Sequence, residues 1–168
     1  KYLAGHNDVL AGVVVTNSLE LYEKLFYNLN TTGAVLSPFD SYQLIRGLKT
    51  LSLRMERSTA NAQEVVAFLK DSSAVKEVLY TGRGGMISFK VADETRIPHI
   101  LNSLKVFSFA ESLGGVESLI TYPTTQTHAD IPAEVRHSYG LTDDLLRLSI
   151  GIEDARDLIA DLRQALEG

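Results

Sequence analysis

The chain has 168 residues, 45% of them apolar and 22% charged, with 12 glycines and 4 prolines. That balance belongs to an ordinary globular protein, either one modest domain or part of something larger, and excludes a disordered tail or a membrane span. The net charge of −5 is spread along the chain, so no basic stripe is offered to a nucleic acid, and the absence of cysteine removes disulfides, zinc–thiolate sites and thiol nucleophiles together and suits a reducing cytoplasm.

The apolar run from Val9 to Val15 is broken by Gly12 and is far shorter than the ~20 residues a bilayer span needs. The chain shows no secretory signal and opens at Lys1 instead of Met, so a fragment whose beginning has been lost or omitted is expected. Val13–Val14–Val15 is β-branched and reads as a buried strand. Thr16, Asn17 and Ser18 then supply capping groups for a helix through Leu19, Tyr22, Leu25, Phe26 and Leu29, and Gly33 stops it. Ser37–Pro38 places a cap and a first-turn proline before a second helix, and the apolar spacing from Tyr42 to Leu69 predicts one long rod with no proline or glycine after Gly47.

After residue 73 the period changes. Val75 to Tyr80 and Met86 to Val91 read as a hairpin around Gly82, Gly84 and Gly85. A helix over 97–104, strands over 106–109 and 117–121, a short helix over 132–139, a strand over 145–150 and an amphipathic helix over 154–166 complete the order. The pattern predicts an α/β chain ending in an α+β layer, its antiparallel or mixed sheet covered by helices. Repeats, heptads and low-complexity segments are absent.

By composition alone, the chemistry is faint. His6, His99, His128 and His137 lack the short spacings of a metal site, so no metal is expected. Gly82, Gly84 and Gly85 stand between two strands with no helix N-terminus to receive a phosphate, which makes them a turn.

Four stretches taken together are informative. They are Lys1-Tyr-Leu-Ala-Gly-His-Asn-Asp-Val-Leu-Ala-Gly12; Ser37-Pro-Phe-Asp-Ser-Tyr42 with Arg46-Gly-Leu-Lys-Thr-Leu51 and Arg54-Met55; Ala110-Glu-Ser-Leu-Gly-Gly-Val-Glu-Ser-Leu119 with Thr127-His128; and Arg147-Leu-Ser-Ile-Gly-Ile-Glu153. In this order they resemble the C-terminal part of the cystathionine γ-synthase, β-lyase and γ-lyase family of pyridoxal-phosphate enzymes. The resemblance implies the C-terminal part of a type I PLP-dependent transferase (aspartate-aminotransferase-like) fold with a mostly antiparallel sheet. Residues 1–56 would be a remnant of the large cofactor-binding domain with the start of the inter-domain helix, and residues 57–168 the small domain.

The same resemblance implies site roles. Lys1 would hold the cofactor, pyridoxal 5′-phosphate, and move the α-proton once the substrate frees its amine. Arg147 would clamp the substrate carboxylate with its planar fork. Ser112 would bring a hydroxyl and main chain toward that carboxylate, with Gly114 and Gly115 turning the chain behind it. Thr127 would line the distal side of the pocket, and Glu111 would favour γ-carbon chemistry. The implied function is a cytoplasmic enzyme of methionine and cysteine metabolism making or breaking a carbon–sulfur bond, with cystathionine γ-synthase favoured over β- or γ-lyase. Its substrates would be cystathionine, cysteine and an acyl-homoserine, with a homo-oligomer, a tetramer in the family, and no nucleic acid or membrane partner. The upstream half that in the family carries the phosphate-binding residues, the aspartate on the pyridine nitrogen and the ring-stacking tyrosine is missing, so the chain by itself is expected to be inactive. A non-catalytic amino-acid-binding or assembly module is the competing reading. The sequence also departs from the family between Tyr80 and Arg83, where a proline–glycine segment and a long following loop are absent.

Overall fold

In the structure, a computed structural model describing residues 1–168, regular elements begin with three helices, α1 (Leu19–Thr32), α2 (Pro38–Leu48) and α3 (Leu51–Asp71). The hairpin β1 (Val75–Leu79) and β2 (Met86–Val91) follows, then α4 (Ile97–Ser103), β3 (Ser108–Phe109), β4 (Leu119–Thr121), α5 (Ala133–Ser138), β5 (Leu145–Ser149) and α6 (Ala155–Glu167). The caps are those the sequence predicts. Ser18 Oγ accepts from Leu21 N and Ser37 Oγ from Asp40 N, Pro38 occupies the first turn, and Gly33 closes α1 in the left-handed region at φ 68°.

The five strands are ordered β1-β2-β5-β4-β3, antiparallel except for the parallel β3–β4 edge. Alternation sorts the faces of the sheet. Phe89, Ile120, Leu146 and Leu148 point to the helix side and are fully buried against Val65 and Leu69 of α3 and Leu158 and Leu162 of α6. Arg147 and its register partners Ser88 and Thr121 occupy the opposite face. Asp161 of α6 reaches past the core and accepts the main-chain N–H groups of Lys105, Val106 and Phe107 at 2.8–3.0 Å, tethering the segment that leads into β3.

All 18 residues of the core cluster lie between Ala62 and Leu166. Of the first 53 residues only Gly5 and Gly47 are buried, and α1 buries none. No helix is long and apolar enough to cross a membrane.

Two expectations are corrected. Val13–Val15 forms no strand and is 73–86% exposed, because a strand needs a neighbour to complete its hydrogen-bond ladder and all five strands of the sheet lie at residue 75 and beyond. The predicted rod is two helices. It breaks at Lys49–Thr50, where Lys49 N and Thr50 N bond back to Arg46 O and Gly47 O in tightened turns, and Arg54 Nη2 takes Gly47 O as well. A helical pattern in the sequence does not report such a tertiary acceptor.

Candidate active site

Lys1 opens a tight turn, closed by Gly5 N donating to Lys1 O at 2.8 Å, and Gly5 sits at φ 80°. Its exposed side chain lines a cavity of about 420 Å3 together with Asn7, Leu10, Leu44 and Ser112. The volume suits a small organic ligand. Ser112 is delivered by the loop after β3, which folds around the first residues of the chain. Gly114, at φ 74°, packs on the Tyr2 ring so closely that an added Cβ would lie 3.1 Å from it, and a Cβ on Gly115 would meet Asn7 Nδ2 at 2.5 Å. Gly114 is therefore required by its left-handed backbone and this close approach, whereas Gly115 is crowded only by side-chain tips. Gly114 N donates to Ser149 Oγ at 2.8 Å, tying the loop to the end of β5.

Arg147 projects from the middle of β5. Its Nη2 donates to Glu111 O at 2.9 Å, Ser112 O at 3.4 Å and Thr121 Oγ1 at 3.0 Å. Nε is buried without any partner. Burial lowers the basicity of the guanidinium and the nearby Glu111 charge partly restores it, so the group is a desolvated cation with an open donor. A planar carboxylate is the complement such a fork calls for.

The structure brings four of the five predicted residues into connection. Lys1 and Ser112 line the cavity, while Arg147 lies outside the lining and is tied to it through the main-chain carbonyls of Glu111 and Ser112. The exposed Glu111 side chain reaches Arg147 only through its charge. Thr127 stands apart: it lies outside the cavity lining, and its hydroxyl is 2.7 Å from His128 Nδ1.

Three further residues escaped sequence reasoning. Asn7, a non-glycine residue at φ 55°, accepts from Ser112 Oγ at 3.1 Å and donates to Glu117, bridging the turn to the loop. Tyr2 is held between Gly85 and Gly114, and burial raises its phenol pKa against the smaller opposing effect of the Gly85 main chain. Arg54 grips the turn from below, with Nη1 donating to Tyr2 O at 2.8 Å. Arg54 stands in the second motif without a role, and the remaining signal for it is that Thr50 and Ser58, one helical turn away on either side, give it no carboxylate.

An exposed lysine amine and a half-buried arginine are thus connected by one loop beside a cavity of small-ligand size. The sequence pattern of the Cys/Met metabolism PLP-dependent enzymes matches residues 1–167, and the chain belongs to that family, whose cofactor is pyridoxal phosphate. It is 57% identical over 166 residues, 99% of its own length, to a cystathionine γ-synthase/O-acetylhomoserine (thiol)-lyase of Bacillus subtilis, covering 44% of that protein. It is 49% identical to a cystathionine γ-lyase of Bacillus subtilis and 48% to a cystathionine β-lyase of Lactococcus lactis, each over 183 residues, covering 99% of this chain and 48% of those. The chain thus spans about half the length of the curated relatives it matches. The two lyases carry 17 aligned residues more than the synthase, 183 against 166, over the same share of this chain. Among solved structures, a cystathionine γ-synthase from Xanthomonas oryzae in complex with cystathionine superposes at TM-score 0.92 with 41% identity, covering 99% of this chain and 48% of that one. A γ-lyase from Micromonospora echinospora superposes at 0.95 with 36% identity, covering 100% and 48%.

The donor set fits the cofactor: the lysine amine is open to the cavity with no protein partner.

Proposed function

We propose that this chain works as the C-terminal half of a pyridoxal-phosphate enzyme that forms cystathionine from an acylated homoserine and cysteine. The observation that carries this reading is that Lys1 and Ser112 line one cavity and that Arg147 is bonded to the carbonyl of Ser112. Greater identity to the synthase, and a matching length where the lyases are longer, favour synthesis over cleavage. The exposed carboxylate of Glu111 suits the distal ammonium group of a long amino acid such as cystathionine, in keeping with γ-carbon chemistry.

Lys1 would hold the cofactor, which when bound supplies an electron sink for charge developing on the substrate. Everything else falls to the chain. Arg147 orients the substrate by its α-carboxylate, using Nε and leaving Nη2 anchored to Glu111 and Ser112. The Lys1 amine, once free, takes the proton from the α carbon and returns it farther along the substrate, which requires the amine and the fork to keep a fixed separation. Ser112, held through Asn7, keeps the loop beside both. Residues 1–56 would pack on an upstream domain, and residues 57–168 would form the small domain; a homo-oligomer of the whole enzyme and a cytoplasmic location complete the proposal.

The full-length enzyme containing this chain should be yellow, and Lys1→Ala should abolish the colour. A colourless full-length protein would favour the non-catalytic module instead. Given an acylated homoserine and cysteine, the enzyme should release cystathionine. Homocysteine with pyruvate from cystathionine would instead establish β-lyase activity, and cysteine with 2-oxobutyrate γ-lyase activity.

A further inference from the structure

Arg54 is a charged side chain 6% exposed with no acidic partner. Four donations satisfy it, all to neutral acceptors: Nη1 to Tyr2 O at 2.8 Å, Nη2 to Gly47 O at 2.8 Å and Leu3 O at 3.4 Å, and Nε to Thr50 Oγ1 at 3.1 Å. A buried cation without a counter-charge is costly, and it persists where its bonds hold something in place. Two of these acceptors belong to the residues directly after Lys1.

The packing on either side leaves the turn no slack. A Cβ on Gly5 would lie 2.1 Å from Arg54 Nη1, and one on Gly47 would lie 2.2 Å from Ala4 O. The guanidinium therefore lies flat against Gly5 while the end of α2 closes on Ala4. The same α3 that carries Arg54 buries Ala62, Val65 and Leu69 in the core beneath the sheet. A continuous path of contacts thus runs from the main chain of Tyr2 and Leu3, directly after Lys1, through Arg54 and α3 to the sheet that bears Arg147.

We propose that Arg54 is a positioning residue for Lys1, setting the main-chain register of the lysine against the sheet that carries the arginine fork. The proposal rests on the reading of Lys1 as the cofactor lysine. Arg54 touches neither substrate nor cofactor; it acts through the carbonyls of Tyr2 and Leu3. Proton transfer depends steeply on placement, and a displacement of about 1 Å costs on the order of 100-fold in rate.

The test uses the full-length enzyme containing this chain, with Arg54→Ala, Arg54→Lys and Lys1→Ala. Two readouts separate positioning from general destabilisation: kcat and KM resolved individually, and the pH midpoint at which the yellow absorbance of the bound cofactor changes. Arg54→Ala should retain cofactor, lose about 100-fold in kcat with KM nearly unchanged, and shift the absorbance midpoint. Added guanidinium ion should restore part of kcat in Arg54→Ala. Arg54→Lys, which keeps the charge without the fork, should fall between and serves as the decisive variant if Arg54→Ala does not fold. A folded Arg54 variant with unchanged kcat and an unchanged absorbance midpoint overturns the proposal while leaving Lys1 in its role. A yellow Lys1→Ala enzyme instead removes the reading on which the proposal depends, so the two failures are distinct.

Discussion

Arg147 and Asp144 lie three residues apart and illustrate two uses of a buried charge. Arg147 keeps a buried Nε without a partner, so, on the proposed reading of it as the carboxylate clamp, exchanging its fork for a point charge should weaken substrate capture far more than it weakens the fold. In the full-length enzyme Arg147→Lys is expected to lower kcat/KM for the amino-acid substrate at least ~30-fold, about 2 kcal/mol, with the thermal midpoint little changed. Asp144 is 5% exposed and bonded to Lys76 and Thr142. Burial alone would push its carboxyl up, but the Lys76 ammonium and the Thr142 hydroxyl outweigh it and hold the group below the usual carboxylate range. As pH falls, the unfolded chain therefore binds the proton first. The stabilisation is present above about pH 4, the ordinary aspartate value, and is lost as pH drops through the folded value. Asp144→Asn should cost about 1–3 kcal/mol near neutral pH, and its penalty should shrink when thermal midpoints are compared near pH 3.

At the scale of elements, connections decide more than propensities do. Asp161 sits on a helix yet serves a loop, accepting three main-chain N–H groups that would otherwise be unpaired. Asp161→Ala is expected to destabilise the chain by roughly 3 kcal/mol and to speed amide exchange at residues 105–107, whereas loss of helix propensity would leave those amides protected. The helices, the hairpin and their order were legible because caps, glycine stops and apolar periods are local signals. The failures were non-local: Val13–Val15 has strand composition but no partner, and the predicted rod is interrupted where Arg54 takes a carbonyl that helical spacing assigns elsewhere.

For the molecule as a whole, stability resides in the helix-covered sheet. Leu146, fully buried in the central strand, should cost about 3 kcal/mol when replaced by alanine, read as a lowered denaturant midpoint. Native-state hydrogen exchange on the 168-residue chain should find β2, β5 and α6 opening only with global unfolding. Amides of α1, a helix that buries no side chain, should exchange orders of magnitude faster. Equal protection in α1 and β5 would contradict the proposed division near residue 56. The site spans that division, since Lys1 belongs to the first part and Ser112 and Arg147 to the second.

Read alone, the sequence determined most of the element types and the α+β order of the second part, because these are written in residue type and short spacing, and its four motifs carried the resemblance to the family. Only the tertiary structure decided that Ser112 joins Lys1 in one cavity, that Thr127 stands away from it, and that Asn7 and Arg54 hold the lysine turn. Those relations join residues 50 to more than 100 positions apart, and their hydrogen bonds, close glycine contacts and burial exist only once the chain has closed on itself.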